Sequence, residues 1–451
     1  MATYDGQQVV VVGAGRTGLA LTAFFLRRGA SVVLSDSRSA ADRPQLAALA
    51  TQGVILDCGG HSLELFAGAD LIAISPGVTL TLPAIVAAQK QGVPVLGEVE
   101  IACRELTAPL VAITGTNGKS TTTCLLGEVF SAWGKRSFVG GNLGTPLIEA
   151  VDEQWDWLLA EISSFQLEAI DTFRPRYGLL LNISPDHLDR YPDMAAYLAA
   201  KKQLFLNMAD GDVAVLNGDD PQVLTLAGEA SCRKVMFSSR RLLDEGMSLV
   251  GDELVWRWAG RETRFSITQL QLCGSHNLEN VMAALIPPLL EGCPAKIAWQ
   301  AVCAFGGLDH RMVRVRDLDG VVWYNDSKGT NVGSVVKSLA GLAAPVTLIA
   351  GGRDKGGDYG PLAEATAGKV AQLILIGEAA ERMEKALKGK IAIHRAATLE
   401  EAVLLAHRLT PEGGSVLLSP ACSSFDMFSS YAERGEVFVK AVKQLPAKGE
   451  G

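Results

Sequence analysis

The chain reads as an α/β protein of three consecutive domains. Two glycine-rich turns, Gly13–Gly18 and Thr114–Ser120, each link an apolar strand to a helical pattern. After Leu308, apolar runs end one after another in polar clusters, the rhythm of a third α/β unit. A length of 451 residues is compatible with about three domains of ~150 residues. The expected ranges are 1–98, 99–308 and 309–451.

Composition narrows the function classes. Hydrophobic residues at 48% supply large cores, and a net charge of −8 argues against non-specific binding to nucleic acid or an anionic membrane. Eight cysteines (58, 103, 124, 232, 273, 293, 303, 422) form no C-x-x-C pair. That fits reduced thiols in the cytoplasm better than a disulfide frame or a zinc site. The polar start, MATYDGQQ, is not expected to act as a signal peptide. No apolar run approaches the ~20 residues of a spanning helix. The longest candidate, Val281–Leu290, is expected to break at Pro287-Pro288.

In the first domain, Gln8–Val12 is a strand, Gly13-Ala14-Gly15-Arg16-Thr17-Gly18 a turn, and a helix runs to Arg28. A second strand, Ser31–Leu34, ends in Ser35-Asp36-Ser37-Arg38. This satisfies the dinucleotide fingerprint, with an acidic residue about 20 positions past the turn. Taken alone, it favours NAD over another nucleotide, and either over a bare turn. Asp70–Ser75 is a strand ending in Ser75-Pro76-Gly77, followed by a helix over Pro83–Gln91 and a strand over Val93–Leu96. Ser75–Val78 is either a site wall or a simple Pro-Gly turn.

The second domain starts with a helix over Glu98–Leu106, which leads into the strand Leu110–Ile113. Thr114-Gly115-Thr116-Asn117-Gly118-Lys119-Ser120 comes next, with a helical pattern from Thr121. Glycines allow backbone N–H groups to curl around phosphate, and the helix N-terminus adds partial positive charge. Lys119 would reach the β- and γ-phosphates and Ser120 would face Mg²⁺. The usual spacing is short by one glycine, since Ile113 stands in its place. The strand Trp157–Ala160 ends at Glu161, and Tyr177–Asn182 leads to His187. A carboxylate and an imidazole at strand ends could serve a phosphate-bridging ion, although His is unusual for Mg²⁺. The alternatives are a helix-capping Glu161 and a surface His187. A helix over Met194–Asn207 carries Lys201-Lys202, which by composition reads as a solvated face. Val213–Leu216 is a strand, and residues 231–272 are strand-rich. Asn277 is a helix cap or a contact to a base, ahead of a helix over Leu278–Leu285.

In the third domain, entered through Leu308-Asp309-His310-Arg311, strands are expected at Val321–Tyr324, Val346–Ala350, Leu373–Ile376 and Ser415–Leu418. Their polar ends suggest a ligand-binding rim. The tail Ala447–Gly451 is expected to be disordered.

The ordered series GTNGKS, GGNLGTP, EISSFQLE, NISPDHLDRY, AAK, HNLENVMAA, DHRM, NDSKGTN, GGRDKG and SPACSSFDMF resembles the bacterial Mur ligases over essentially the whole chain. Within that family, the Asp326–Asn331 stretch resembles the D-glutamate-adding members. The DNPR stretch of the tripeptide-forming members is missing. Folylpolyglutamate synthases usually follow the loop lysine with Gly, where this chain has Ser120. The resemblance implies an N-terminal Rossmann-like UDP-binding domain, a central P-loop ATPase-like domain and a C-terminal Rossmann-like domain for the amino acid. It therefore replaces NAD by UDP in the first turn. An NAD-dependent oxidoreductase would leave the second loop idle, and a catalytically dead regulator would need a broken site.

The implied reaction is ATP-dependent amide formation between UDP-N-acetylmuramoyl-L-alanine and D-glutamate, through an acyl phosphate, in peptidoglycan precursor synthesis. Two Mg²⁺ ions are implied, held by Ser120, Glu161, His187 and Lys201. Tyr197-Leu198-Ala199-Ala200-Lys201 matches the family stretch whose lysine is carbamylated by CO₂. This overturns the solvated-face reading for Lys201, but not for Lys202. By position, Thr17, Asp36, Ser37, Arg38, Ser75, Gly77 and Asn142 would take the UDP substrate. Gly115, Thr116, Asn117, Gly118, Lys119, Ser120, Thr121, Asn277, Arg311 and Asp326 would take ATP. Lys328, Thr330, Lys355, Ser424 and Phe425 would take D-glutamate. Lys119, Asn142, His187 and Lys201 would carry the catalysis. Tyr431 stands where the family often has Phe. A cytoplasmic monomer is expected, with small-molecule substrates and no nucleic-acid or membrane partner.

Overall fold

The computed structural model describes residues 4–43, 46–188, 190–228, 230–272 and 274–447. Asp189, Cys273 and the expected disordered residues 448–451 lie outside the described residues. The chain forms two compact units. The first comprises Met1–Asn182, Ala195–Thr268 and Glu279–Val302, and the second comprises Ile183–Met194, Gln269–Leu278 and Cys303–Gly451.

The first unit holds two sheets. One is built from β1 (Gln8–Val12), β2 (Ser31–Asp36), β3 (Ile55–Cys58), β4 (Leu71–Ile74) and β5 (Val95–Gly97), in the order β3-β2-β1-β4-β5. All its pairings are parallel. Val9–Val12 are fully buried, because helices such as α1 (Arg16–Arg27) cover the strands, so an unbroken valine run is what this position requires. The strand order reverses between β1 and β4. That opens a crevice at the carboxyl ends, fed by the first glycine turn.

The second sheet has nine strands: β6 (Leu110–Thr114), β7 (Ser137–Gly141), β8 (Trp157–Glu161), β9 (Tyr177–Leu180), β10 (Val213–Asn217), β11 (Arg233–Ser238), β12 (Gly246–Val250), β13 (Glu253–Trp258) and β14 (Arg261–Ser266). Their order is β14-β13-β12-β11-β10-β9-β6-β8-β7, so β6, with the second glycine turn, lies between β9 and β8. The strands β12–β14 form an antiparallel meander. α5 (Glu98–Glu105) joins the two sheets. Buried Glu100 accepts N–H bonds from Asp171, Thr172 and Phe173, and Glu98 accepts one from Ile148 at 2.8 Å.

The second unit carries β15 (Val313–Leu318), β16 (Val321–Asn325), β17 (Val346–Gly351), β18 (Val370–Ile376), β19 (Ala392–Arg395) and β20 (Ser415–Leu418), in the order β15-β16-β20-β17-β18-β19. Only β15 is antiparallel to its neighbour. On one face α12 (Val332–Ala340), α13 (Gly360–Thr366) and α14 (Ala380–Leu387) bury Val335, Leu362 and Met383. On the other, α15 (Leu399–Leu409) and α16 (Tyr431–Gln444) bury Val403 and Phe438.

Several expectations change. The helix α6 (Lys119–Ala132) begins two residues before Thr121, so Lys119 and Ser120 belong to its first turn. The helix α10 (Ser275–Leu290) runs through Pro287 and Pro288 rather than breaking there. Proline's φ suits a helix, both residues are buried, and the carbonyls of Pro287 and Pro288 still accept bonds from the Glu291 and Cys293 N–H groups. Asn277 lies inside the first turn of α10, so it is not the helix cap. Among the described residues, none of the seven cysteines is in a disulfide. Among the described residues, no helix is long and apolar enough to cross a membrane.

Candidate functional site

At the carboxyl end of the first sheet lies a cavity of about 600 Å³. Its lining includes all seven residues expected for the UDP substrate: Thr17, Asp36, Ser37, Arg38, Ser75, Gly77 and Asn142. Gly18 explains how tightly the turn closes, since a Cβ there would stand 1.6 Å from the Gly13 carbonyl oxygen. Asp36 is buried and tied to the protein. Its Oδ2 accepts from the Ala14 N–H at 2.7 Å and from Arg43 at 3.1 Å, and its Oδ1 accepts from the Arg38 N–H at 2.9 Å. Burial raises this carboxyl, but the Ala14 and Arg38 N–H bonds and the Arg38 guanidinium outweigh it and hold Asp36 below the usual carboxylate range. His61 also lines the cavity, and no motif pointed to it. Its signal was positional, a histidine at the carboxyl end of a strand, but that strand, β3, was itself missed.

The second glycine loop, expected to bind phosphate, sits at the carboxyl end of β6. Gly118 is left-handed at φ 88°, and a Cβ there would meet Asn280 Oδ1 at 2.1 Å, so this position requires glycine. Asn182 clamps the loop from β9's end: its Oδ1 accepts from the Asn117 N–H at 2.9 Å and its Nδ2 donates to the Asn117 carbonyl at 3.0 Å. Lys119 Nζ folds back to donate to the carbonyls of Gly115 and Thr116, both at 2.9 Å. Ser120 and Thr121 are buried in the first turn of α6.

Two further groups join the loop. Glu161, at the end of β8, is buried and accepts at Oε1 from Asn142 Nδ2 at 2.7 Å. The Asn142 backbone N–H also donates to the Glu161 carbonyl, at 2.8 Å. Asn142 therefore belongs to both places: it lines the first cavity and holds the carboxylate beside the loop. Lys201, on α8 (Met194–Lys202), is only 1% exposed, whereas Lys202 is exposed. The solvated-face reading fails for Lys201 because its position in α8 turns it onto the loop. Nζ donates to Thr114 Oγ1 at 3.3 Å and to the Gly115 carbonyl at 3.1 Å.

His187 belongs to the second compact unit and Ser120, Glu161 and Lys201 to the first, so the expected metal set does not fall in one unit. Among the described residues, no three His, Cys, Asp or Glu side chains cluster as a metal site. The oxygens of Ser120 and Glu161 still suit a hard divalent ion. An ammonium group does not, so Lys201 fits a metal only after its charge is changed.

In the second unit a cavity of about 270 Å³ brings together His187, Thr330 and Lys355. His187 holds φ at 56°, a strained value for a non-glycine residue. Its neighbour Asp186 accepts from Lys355 Nζ at 3.4 Å and from Asn331 Nδ2 at 3.1 Å. Arg382 anchors the Lys355 loop, pairing with Asp354 and donating to the carbonyls of Gly356 and Gly357. Lys328 and Ser424 lie apart from this lining: Lys328 Nζ stands 5.1 Å from the centre of the Tyr431 ring, and Ser424 is buried. Phe425 is 64% exposed. Asp326 turns inward, accepting from Ser338 and Ser419, and burial pushes its carboxyl up to about 6. His276, one residue before Asn277, is pushed down to about 4 by burial first, then by the positive charges of Lys337 and Arg311.

Three family models match the chain. They are the Mur ligase MurD-like N-terminal domain over residues 7–97, the Mur ligase middle domain over 113–287 and the Mur ligase glutamate ligase domain over 310–422. The chain is 66% identical to a UDP-N-acetylmuramoylalanine–D-glutamate ligase of Syntrophotalea carbinolica, over 100% of both chains. It is 51% identical to the enzyme of that name in Geotalea uraniireducens, over 97% of this chain and 98% of the other. Among solved structures it is similar in fold to a MurF ligase from Thermotoga maritima in complex with ADP. There the TM-score is 0.61 at 16% identity, over 98% of this chain and 95% of that one.

Proposed function

The chain belongs to the Mur ligase family, and on that premise we propose that it joins D-glutamate to the L-alanyl carboxylate of UDP-N-acetylmuramoyl-L-alanine. ATP is the activating substrate, and the product is a peptidoglycan precursor. The observation that carries the reading is Asn142, which lines the first cavity and bonds Glu161 beside the lysine-bearing phosphate loop. A substrate bound by its uridine end in that cavity would run toward the phosphate loop.

The chemistry explains why such a site needs a triphosphate. A carboxylate resists amine attack because the oxygen that must leave is strongly basic. In the proposed first step a carboxylate oxygen forms a bond to the γ-phosphorus, and the bond to the β-phosphate oxygen breaks, releasing ADP. The uncharged amine of D-glutamate then adds to the acyl carbon, inorganic phosphate leaves with the carbon–oxygen bond electrons, and the nitrogen loses a proton. The protein's task is positioning and neutralising charge. Lys119 would leave the carbonyls of Gly115 and Thr116 for the γ-phosphate, and N–H groups of the first turn of α6 would face phosphate oxygens.

Ser120 and Glu161 would hold Mg²⁺, which when bound offsets the negative charge of the triphosphate and the substrate carboxylate. Carbamylation of Lys201 would turn its ammonium into an anion suited to a second ion, with His187 as the further proposed ligand. Asn277, Arg311 and Asp326 are proposed on the ATP side. For Asp326 the role is indirect, since two serine hydroxyls already hold its carboxylate. Lys328, Thr330, Lys355, Ser424 and Phe425 are proposed for D-glutamate, where cations and hydroxyls match a dicarboxylate.

Phosphate release from ATP tests the reading. Release should require UDP-N-acetylmuramoyl-L-alanine and D-glutamate together. No release with D-glutamate, or equal release with L-glutamate, overturns the assignment.

A further inference from the structure

His61 follows β3, the edge strand of the first sheet, and lines the first cavity beside Asp36 and Arg38. Its imidazole is held in one orientation. Fully buried Ser35, on β2, has its Oγ 2.7 Å from Asp57 Oδ2 and 2.8 Å from His61 Nδ1. An ionised carboxylate only accepts, and Asp57 Oδ2 also accepts from the Ser62 N–H at 3.1 Å. The single hydroxyl proton of Ser35 is therefore committed to Asp57. Ser35 Oγ must then accept from His61, which places the imidazole proton on Nδ1. The ring also meets Phe66 edge-on at 5.9 Å. In the neutral imidazole, Nε2 is left as an acceptor.

The acidic residue of the fingerprint is differently occupied. Asp36 accepts from the Ala14 N–H, the Arg38 N–H and the Arg43 guanidinium, so both its oxygens already hold the turn together. In sites of this architecture the phosphates sit at the helix N-terminus and the nucleoside lies toward the end of β2. His61 is bonded to β2, on the nucleoside side.

We propose that His61 Nε2 accepts a hydrogen bond from the uridine of the substrate, which makes His61 a specificity-determining residue. The donor is either the uracil N3–H or the ribose 2′-hydroxyl. The inference rests on the reading of this cavity as the UDP end of the substrate. A cytosine would turn a lone pair, rather than N3–H, toward Nε2, so the base arm predicts discrimination against CDP.

Calorimetric titration of the full chain with UDP, CDP and 2′-deoxy-UDP tests this. His61→Phe keeps an aromatic ring against Phe66 but removes the acceptor. It should weaken UDP about tenfold, the scale of one hydrogen bond in a desolvated site. It should leave affinity unchanged for whichever analogue lacks the donor: CDP for the base arm, 2′-deoxy-UDP for the ribose arm. His61→Gln, which restores an acceptor oxygen, should recover part of the loss. Ser35→Ala, which frees the ring's tautomer, should weaken UDP by about threefold. Equal UDP binding by wild type and His61→Phe overturns the proposal, and so does an equal loss for all three ligands, which would mark a packing role. Failure of the wild type to bind UDP overturns the uridine reading of the cavity, and this proposal with it.

Discussion

The chain contains the strand–glycine turn–helix device twice in one compact unit, and the two copies are finished differently. In the first turn, Gly18 lets helix and strand approach until a Cβ would overlap the Gly13 carbonyl, and Asp36 spends its oxygens on holding the turn. No lysine enters that turn. In the second, Gly118 takes a left-handed conformation, Lys119 lies over the loop carbonyls, and Lys201 and Glu161 close in from α8 and β8. On the proposed function, the first turn holds a nucleotide still. The second adds a cation and oxygen donors, which the proposed phosphoryl transfer needs and simple binding does not. On this proposal, shared backbone geometry gives phosphate affinity, and the side chains brought to it decide whether chemistry follows.

That division can be broken from either side. Lys119→Ala should lower phosphate release by about a thousandfold or more, the scale of losing a cation at the transferring phosphoryl group. Its UDP affinity by calorimetry should stay within about twofold, because a distant site adds independently. A comparable loss in UDP affinity would mean the two loops do not divide the work. Lys201→Ala should lower release by about a hundredfold or more. Lys202→Ala, on the exposed face, should stay within about twofold. If the two results were exchanged, the assignment of the buried lysine would be wrong.

The joint between the two turns carries a pH signature. Burial pushes Glu98 up to about 7, against the Ile148 N–H bond, which pulls it down. A carboxyl raised on folding binds its proton more tightly in the native state than in the unfolded chain. Its stabilisation is full below the unfolded pKa of about 4.5 and is lost as pH rises to about 7. The loss is on the order of 3 kcal/mol, at about 1.36 kcal/mol per unit. In denaturant titrations, Glu98→Gln should gain stability relative to wild type across that window and hold a constant difference above it. A difference independent of pH would rule out a raised Glu98 carboxyl as the cause. Smallest is Gly18→Ala, which forces the first turn apart. It should cost about 1–3 kcal/mol in thermal unfolding, and UDP affinity should fall while ATP binding persists.

Much of this was legible in the sequence because buried parallel strands announce themselves: Val9–Val12, Leu110–Ile113 and Val346–Ala350 are buried on both faces and almost wholly apolar. The strands that escaped, β3, β15 and β19, lie at sheet edges. One half-exposed face gives sequences such as ILDC and VRVRDL, in which no long apolar run survives. His61 was hidden for the same reason, since it follows one of those edge strands. The residues proposed for UDP came together because they sit at carboxyl ends of neighbouring strands, where topology does the gathering. Composition misread Lys201, because adjacent lysines look alike in sequence while a turn of 100° per residue separates an inward from an outward side chain. Only the resemblance to a family, and then the fold, told the two apart.

The fate of one oxygen atom tests the central claim most directly. UDP-N-acetylmuramoyl-L-alanine labelled with ¹⁸O in its terminal carboxylate is turned over with ATP and D-glutamate, and the released phosphate is examined by mass spectrometry. Attack of that carboxylate on the γ-phosphorus predicts one labelled oxygen per phosphate formed. Phosphate free of label, alongside amide product, would contradict the acyl phosphate and the role of the second loop in forming it.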